Sequence, residues 1–206
     1  MKIKSMVEIA TAAGIPDPTL LLGRLRGKAV FPHLVKAIQD VDEGEYLLLK
    51  FTSEQFCDSS FIDETLIELG SKLIHGEFGD RGMALSNLSE SVQTSLRSTL
   101  AMRRDDARKK NEDFKVVFLL FLNLIPTGLL PKSSWEIVGA LEQSLFDVFL
   151  QFSTYESISA ADVAREFKLE INTASMRLKR LYERHLLRRQ YQTLTNGREF
   201  VYYFWK

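Results

Sequence analysis

Hydrogen-bonding and cationic side chains recur at helical spacing between residues 172 and 185. In a helix they share one face, because residues three and four apart lie above one another. Their amide, hydroxyl, ammonium and guanidinium groups can pair with base edges and phosphates of duplex DNA. This face consists of Asn172, Thr173, Met176, Lys179 and Arg180, flanked by Ser175, Arg177 and Arg184. We expect Thr173, Ser175, Met176 and Lys179 to lie nearest the bases, and Arg180, Arg184 and Arg189 to contact phosphates.

The opposite face of the same segment is apolar. Ala174, Leu178, Leu181 and Tyr182 follow the spacing i, i+4, i+7, i+8 of a single helical stripe. Ala174 is small, so a second helix can approach closely there. The stripe is therefore expected to be buried.

A shorter helix is predicted just before it. Ser159 can accept a hydrogen bond from the free N–H groups of a helix beginning at residue 160, and Asp162 adds a carboxylate to its first turn, where the helix dipole favours negative charge. This helix should run to about Phe167. Residues 168–171 then form a turn, and Asn172 or Thr173 caps the second helix. The pattern indicates a helix-turn-helix over residues 159–189.

The residues after the second helix predict a β-hairpin. Runs at 187–192 and 199–204 flank the turn segment 195–198, which contains Asn196-Gly197, the dipeptide preferred in type I′ hairpin turns. A basic hairpin directly behind a helix-turn-helix is a wing, and Arg198 at its tip is expected to reach the minor groove or the DNA backbone. With a preceding helix at 141–152, residues 141–206 resemble the winged-helix domain of bacterial transcription regulators, most closely in INTASMRLKRLYERHLLRR and NGREFVYYF.

The charge distribution points the same way. Residues 171–206 contain eight lysines and arginines but two acids, a net charge of +6, although the whole chain is neutral with 27 basic and 27 acidic residues. The end of the chain should therefore attract a polyanion while the rest does not. Winged helices also serve as protein-docking or dimerisation modules, and this role is the alternative to DNA binding.

Length and composition indicate a soluble globular protein. At 206 residues with 45% apolar content, the chain fits one large or two small domains. No signal peptide is expected, and the most apolar run, 114–125, is too short for a membrane span of about 20 residues; it predicts a buried strand. The single cysteine excludes an internal disulfide and suits a reducing cytoplasm.

The N-terminal half alternates predicted strands and helices. Residues 1–11 fit either a first strand or a helix, whereas glycines and prolines predict loops at 14–18 and 23–28. The run EYLLLKF at 45–51 is typical of a central strand buried on both faces. The predicted order is helix 29–38, strand 45–51, helix 60–74, strand 83–88 and a helix capped by Ser89 that runs toward Arg104. Such alternation predicts an α/β domain with a parallel sheet.

FTSEQFCDSSFIDETLIELG and GMALSNLSESVQTSL resemble the STAS-like domains of bacterial proteins, over residues 27–104. The resemblance rests on Ser59, Ser60, Phe61, Asp63 and Glu64 at a strand-to-helix turn. It implies a partner site at Asp58, Ser59, Ser60 and Asp63, with Ser59 as the serine that a partner kinase would phosphorylate. Phe61 replaces the family's glycine. Alternatively, Ser59 or Ser60 simply caps the helix.

Residues 102–113 carry mixed charges and read as a solvated helix end or a linker. Strands are predicted at 115–124 and 135–138, and we expect them to pair and to connect the two domains. The predicted domains are a STAS-like α/β domain at 1–112, a connecting hairpin or linker at 113–140 and a winged helix-turn-helix domain at 141–206.

No residue pattern indicates catalysis. His33, His75 and His185 lie far apart without metal-ligand spacing, and no nucleotide loop or nucleophile motif is present. Cys57 is a poor nucleophile because Asp58 disfavours its thiolate. We expect no enzyme activity, no metal and no cofactor.

The predicted fold is therefore an α/β STAS-like domain followed by an α+β winged helix-turn-helix domain. The predicted protein is a cytoplasmic transcriptional regulator that binds double-stranded DNA. A homodimer on half-sites about one helical turn apart is expected, because one winged helix has a small footprint. The alternatives are a partner-switching protein that binds a kinase or anti-sigma factor at the STAS-like domain, and an accessory subunit of a nucleic-acid-processing assembly.

Overall fold

The computed structural model has a mixed α/β fold. It describes residues 1–122, 134–194 and 197–204, apart from the side chains of residues 153, 194, 197 and 198. The strands are β1 (Lys2–Ser5), β2 (Leu20–Leu21), β3 (Tyr46–Lys50), β4 (Phe56–Cys57), β5 (Gly82–Ser86), β6 (Val117–Phe121), β7 (Trp135–Gly139), β8 (Ser157–Ser159), β9 (Arg188–Leu194) and β10 (Gly197–Tyr203). The helices are α1 (Met6–Ala12), α2 (Arg24–Gln39), α3 (Ser59–Ile62), α4 (Glu68–Ile74), α5 (Glu90–Lys109), α6 (Gln143–Leu150), α7 (Ala160–Phe167) and α8 (Ile171–Glu183), with a π-helix (Asp63–Ile67) and a 3₁₀-helix (Gln151–Ser153).

A five-stranded sheet in the order β1-β3-β5-β6-β7 organises the chain. The first four strands are parallel, and β7 runs antiparallel to β6 at one edge. The predicted parallel sheet is thus confirmed for four strands, and the full sheet is mixed. The prediction that residues 45–51 form a central strand is confirmed, because β3 lies between β1 and β5. The predicted strands at 115–124 and 135–138 pair as expected and supply its last two strands; residues 123 and 124 lie outside the described residues.

The two faces of the sheet are covered by different parts of the chain. In β3, Leu47 and Leu49 enter a core formed with the N-terminal helices α1 to α5, whereas Tyr46 and Leu48 enter a second core formed with residues from α6 to β10. This alternation follows from the two-residue period of a strand. Burial of apolar side chains therefore holds the described residues between 143 and 204, which we call the C-terminal unit, against the sheet.

Aromatic side chains reinforce the second core. Trp135 of β7 meets Phe149 of α6 edge to face, with ring centroids 5.0 Å apart. Tyr46 lies across Gly82 of the neighbouring strand, where a Cβ would come within 2.2 Å of the ring. Glycine at position 82 thus makes room for the tyrosine.

The predicted loop at 23–28 is wrong, because α2 already begins at Arg24. Gly27 is helical, and a Cβ there would lie 2.8 Å from the Cβ of Glu64. This glycine permits close packing of two helical segments instead of ending one. Residues 1–11 form a strand and then a helix, β1 followed by α1, so each open alternative holds for part of the segment.

Two helix predictions are refined by the structure. The helical segment predicted at 60–74 begins at Ser59 and contains the π-helix. Ser89 caps α5 as predicted, accepting from the N–H of Val92 at 3.4 Å, but α5 runs to Lys109. Residues 102–109 are therefore a solvated helix end, which was one of the two alternatives.

The C-terminal unit contains α6, α7, α8 and a three-stranded antiparallel sheet in the order β8-β10-β9. α7 has its predicted bounds, and the capping box between Ser159 and Asp162 is present. The cap predicted at Asn172 or Thr173 is wrong: α8 begins at Ile171 with Glu170 as its N-cap, because Lys168 adopts a left-handed conformation (φ 52°) that shortens the turn. β9 and β10 pair as predicted, while the turn residues 195 and 196 lie outside the described residues. Across the described ranges, no helix has the length and apolar character needed to cross a membrane.

Candidate nucleic-acid interface

The N-terminal part of α8 presents an exposed polar surface. Asn172, Thr173, Ser175 and Lys179 are exposed, and Met176 keeps 51% of its surface exposed. The opposite stripe of Ala174, Leu178 and Leu181 is fully buried. The predicted base-contacting residues are therefore brought together on one open face. Lys179 makes only a loose pair with Glu183, at 3.7 Å between Nζ and Oε1, so its ammonium group remains accessible.

The cations at the C-terminal end of α8 are already engaged. Glu142, which precedes α6, pairs with Arg180 at 3.4 Å and with Arg184 at 3.6 Å. Arg184 is only 8% exposed, and its Nη1 donates to the carbonyl of Arg180 at 3.3 Å. Arg180 stays half-exposed. The prediction that Arg184 contacts phosphate thus falls on a buried side chain with an internal carboxylate partner.

Arg189 is held between two aromatic rings. Its guanidinium carbon lies 4.0 Å from the centroid of Tyr182 on α8 and 4.2 Å from that of Phe200 on β10. Such stacking fixes the position of the hairpin against α8. Arg189 was predicted to contact phosphate, and this arrangement makes it a link between the helix and the hairpin. Arg198 pairs through its backbone with Thr193, and its side chain lies outside the described residues.

His185 joins α8 to the N-terminal helices. Its Nε2 lies 2.8 Å from the carbonyl oxygen of Leu73 at the end of α4, and since a carbonyl only accepts, the ring must carry its proton on Nε2. Burial lowers the pKa of His185, against the opposing effects of the Leu73 carbonyl, the Asp80 carboxylate and the Arg81 carbonyl. The neutral ring therefore links the C-terminal unit, which covers one face of the sheet, to α4, which packs on the other face.

Tyr182 adds to the same junction. Burial raises its pKa, and Asp80 acts in the same direction, both through its charge and as a hydrogen-bond partner. The sequence pattern predicted that Tyr182 belongs to the buried stripe. The spacing of His185 from the other histidines bore only on metal binding. No signal in the sequence indicated that either residue meets Asp80 in the loop before β5, because these residues are about a hundred positions apart in the chain.

The turn at Asp58–Asp63 lies over the other face of the sheet, because α3 packs into the first core and α8 into the second. Asp58 accepts from the N–H groups of Phe61 at 2.7 Å and Gly23 at 2.9 Å. Asp58 is thus the helix cap, and the alternative that Ser59 or Ser60 caps α3 is wrong. Ser59 is exposed at the first position of the helix, whereas Ser60 is half-buried.

Asp63 is a structural residue of this turn. It is 3% exposed, and its two oxygens lie 2.5 and 2.9 Å from Nε and Nη2 of Arg103. Arg24 adds a longer contact of 3.7 Å. The pair raises the pKa of Arg103, chiefly through the hydrogen bond to Asp63. Of the four residues predicted as a partner site, Ser59 is the exposed one; its backbone carbonyl accepts from the N–H of Asp63, which leaves its hydroxyl at the surface.

An apolar patch borders this turn. Leu20 on β2 and Phe56 on β4 pair across the two-stranded sheet, and both are exposed, as are Leu22 and Leu25, the latter by 85%. Exposed apolar side chains in one cluster mark interaction surfaces more often than isolated ones do.

Cys57 is fully buried behind the patch. Burial, together with the Asp58 charge, raises the pKa of its thiol to about 12, so the thiol stays protonated at neutral pH. Within the described ranges no three histidine, cysteine, aspartate or glutamate side chains are grouped as metal ligands would be.

Comparison of the chain with protein-family models, with curated proteins and with solved structures found no match.

Proposed function

We propose that this protein is a DNA-binding transcriptional regulator. Its residues 141–206 would form a winged helix-turn-helix domain that reads duplex DNA, and its N-terminal part would form a STAS-like domain that receives a signal or partner and supports dimerisation. One observation carries the proposal. The polar face of α8 is open from Asn172 to Lys179, while the opposite face is buried and a β-hairpin follows directly, in the most basic part of the chain.

α8 would lie in the major groove, with its N-terminal half facing the bases. Asn172 can donate to and accept from an adenine edge, and the hydroxyls of Thr173 and Ser175 can either donate to or accept from a base edge. Met176 offers an apolar contact for a thymine methyl group, and the Lys179 ammonium suits guanine or a nearby phosphate. The half-exposed Arg180 would turn from Glu142 to a phosphate.

The residues behind this surface would position it. Arg184 packs under the end of α8 and Arg189 joins α8 to the hairpin, so we assign them to the support of the interface and no longer to phosphate contact. Arg198 remains the residue proposed for contact by the wing. A homodimer on half-sites roughly 10 base pairs apart would extend the small footprint of one unit.

The test is fluorescence anisotropy of the full chain with a random duplex and with DNA from upstream of its own coding sequence, at two salt concentrations. We expect tighter binding to the upstream DNA, weakened by salt because phosphate contacts release counterions. Lys179→Ala should weaken binding to both duplexes, while Arg108→Ala, an exposed arginine on α5, serves as the matched control. Equal affinity for both duplexes would favour the accessory-subunit alternative, and no binding to either would reject the proposal.

One observation favours a second candidate, a partner-switching protein. Ser59 is exposed at the first position of α3, beside the apolar patch of Leu20, Leu22, Leu25 and Phe56. A phosphate on Ser59 would add about −1.5 to −2 charges next to Asp58 and would change the surface offered to a kinase or anti-sigma factor.

This candidate is tested by mass spectrometry of the protein isolated from its own cells. Phosphate on Ser59, absent from a Ser59→Ala variant and not found on the exposed Ser53 nearby, would support it. Ser59→Asp should then alter partner binding, while Arg180→Ala should not. A protein that carries no phosphate under any growth condition, yet binds DNA, would leave the regulator as the function.

A further inference from the structure

A cleft of about 210 Å³ lies between the middle of α5 and the end of the sheet where β6 starts and β7 ends. Its floor is apolar, with Leu100 and Val116 buried and Phe114 half-buried. Arg97 and Arg104 stand on one side of it, seven residues and hence about two helical turns apart on α5. The cleft therefore combines an apolar base with two cations from a single helix.

The two arginines differ in what they already bind. Arg97 forms an ion pair with Glu136 of β7. Arg104 has no ion pair within the described ranges, and its Nε is buried without a hydrogen-bond partner there. Arg104 as a whole is only half-buried, and its charge lines the cleft without a carboxylate of the described chain to neutralise it.

We propose that this cleft binds a small organic carboxylate. A guanidinium group matches the two oxygens of a carboxylate, and the apolar floor would take an aliphatic or aromatic body. The volume is below the range of about 300–1,000 Å³ typical of sites for drug-sized ligands. The ligand is therefore a small acid, with its carboxylate on Arg104 and its body against Leu100, Phe114 and Val116.

The position of the cleft connects it to the C-terminal unit. Gly139 and Ala140 line it, and Glu142, the partner of Arg180 and Arg184, follows two residues later. Gly139 has a φ of +123°, and a Cβ there would come within 3.0 Å of the Val116 carbonyl oxygen, so its backbone is set by close contact with β6. A ligand would thus touch the segment that leads from the sheet to Glu142. That the ligand alters DNA binding rests on the proposed function; that it binds does not.

Isothermal titration calorimetry of the full chain with isovalerate and benzoate, and with their uncharged amides, tests the binding step without DNA. We expect both acids to bind and the amides to bind about tenfold more weakly or worse, because the charge-assisted hydrogen bonds are lost. Arg104→Gln should lower the affinity for the acids by about tenfold or more, and Arg97→Gln by less, since Glu136 already neutralises it.

Two further variants keep the test decisive. Ala101→Phe should block the cleft while leaving both arginines in place, and Arg165→Gln, on α7, is the matched control that should bind as the unaltered chain does. Circular dichroism melting checks that each variant is folded. Equal binding of acids and amides, full binding by folded Arg104→Gln, or no binding of either acid at millimolar concentration would each overturn the proposal.

The consequence for DNA is measured separately, by anisotropy in the presence and absence of the bound acid. A change in DNA affinity that Ala101→Phe abolishes supports the link through residues 139–142. Ligand binding with unchanged DNA affinity overturns that link alone, whereas a chain that binds the acid but no DNA refutes the proposed function and leaves the cleft as a binding site.

Discussion

The two ends of α8 carry similar residue types but use them differently. At the N-terminal end, Asn172, Thr173, Ser175 and Lys179 are exposed, and Lys179 makes only a loose ion pair within the described chain. At the C-terminal end, Arg184 is buried beside Glu142, and beyond the helix Arg189 is stacked between two rings. Residue type alone therefore marks a possible interface, and burial with internal partners decides which cations remain free for a ligand.

Arg184→Ala should give the largest effect at the engaged end, and the effect should be on stability. The change removes a buried side chain and its contacts with Glu142 and the Arg180 carbonyl. We expect a loss of about 2–3 kcal/mol in the free energy of unfolding, measured by urea denaturation.

Arg177→Ala is the matched control on the same helix, because Arg177 is half-exposed and makes no ion pair within the described ranges. It should change stability by about 0.5 kcal/mol or less. If both variants were equally stable, the contrast between the two ends of α8 would fail.

At the free end, Asn172→Ala should weaken binding to the specific duplex without changing stability. A base contact of this kind is worth about 1–3 kcal/mol, or roughly 5- to 150-fold in affinity. Binding to random duplex should change little, because the asparagine contributes sequence reading and no charge. Anisotropy with both duplexes measures the difference, and Thr193→Ala, exposed on β9, is a control of similar polarity. An equal loss on both duplexes would contradict the assignment of Asn172 to the bases.

Glu142→Gln tests the difference between the two ends of α8, because it removes the carboxylate that pairs with Arg180. Without the carboxylate, Arg180 is no longer held and can meet a phosphate. We expect anisotropy to show a few-fold tighter binding to random duplex, because Arg180 no longer has to leave an exposed ion pair before it reaches its phosphate. The slope of log affinity against log salt should stay the same, because the number of phosphate contacts is unchanged.

Glu166→Gln removes the same charge from the C-terminal unit at an exposed position on α7. It should leave the affinity for random duplex unchanged. If Glu142→Gln and Glu166→Gln changed affinity equally, net charge and not the contact with Arg180 would be the cause.

Periodicity and capping predicted much of this molecule. Ser159 with Asp162 located α7, and the run YLLLK indicated a strand buried on both faces. These features depend on residues close in sequence. The pattern did not show that the second face of β3 is covered by the C-terminal unit, since many apolar surfaces could bury Leu48 equally well.

The functional assignments were least predictable where a distant partner decides them. Arg184 and Glu142 are 42 residues apart, so nothing near Arg184 in the sequence marks it as buried. Likewise Gly27 belongs to a glycine-containing basic run that predicted a loop. The close approach of Glu64 explains why a glycine occupies this position inside α2. Asp63 matched the motif of a partner site, yet its bond to Arg103 makes it part of the framework.

The smallest expected effect concerns pH and the junction behind the engaged end of α8. Burial lowers the pKa of His185 from its ordinary value of 6.5, so the unfolded chain takes up a proton before the folded chain does. Stability should therefore be full above about pH 6.5 and fall as the pH drops below it, until the folded ring is also protonated. Urea denaturation near pH 7.5 and near pH 5.5 measures this fall.

His185→Asn isolates the contribution of the ring, because asparagine tolerates the left-handed backbone at this position, where φ is 52°. The fall in stability between the two pH values should be smaller in the variant, and His33→Asn, a half-buried histidine on α2, should keep the original fall. Since the Nε2 proton is donated to the Leu73 carbonyl in the neutral ring, protonation of Nδ1 places a charge on a buried ring, and this burial outweighs the opposing effects of Asp80 and Arg81. An unchanged pH dependence in His185→Asn would mean that the junction is held by the apolar core alone, and that the engaged end of α8 needs no polar tie to the sheet.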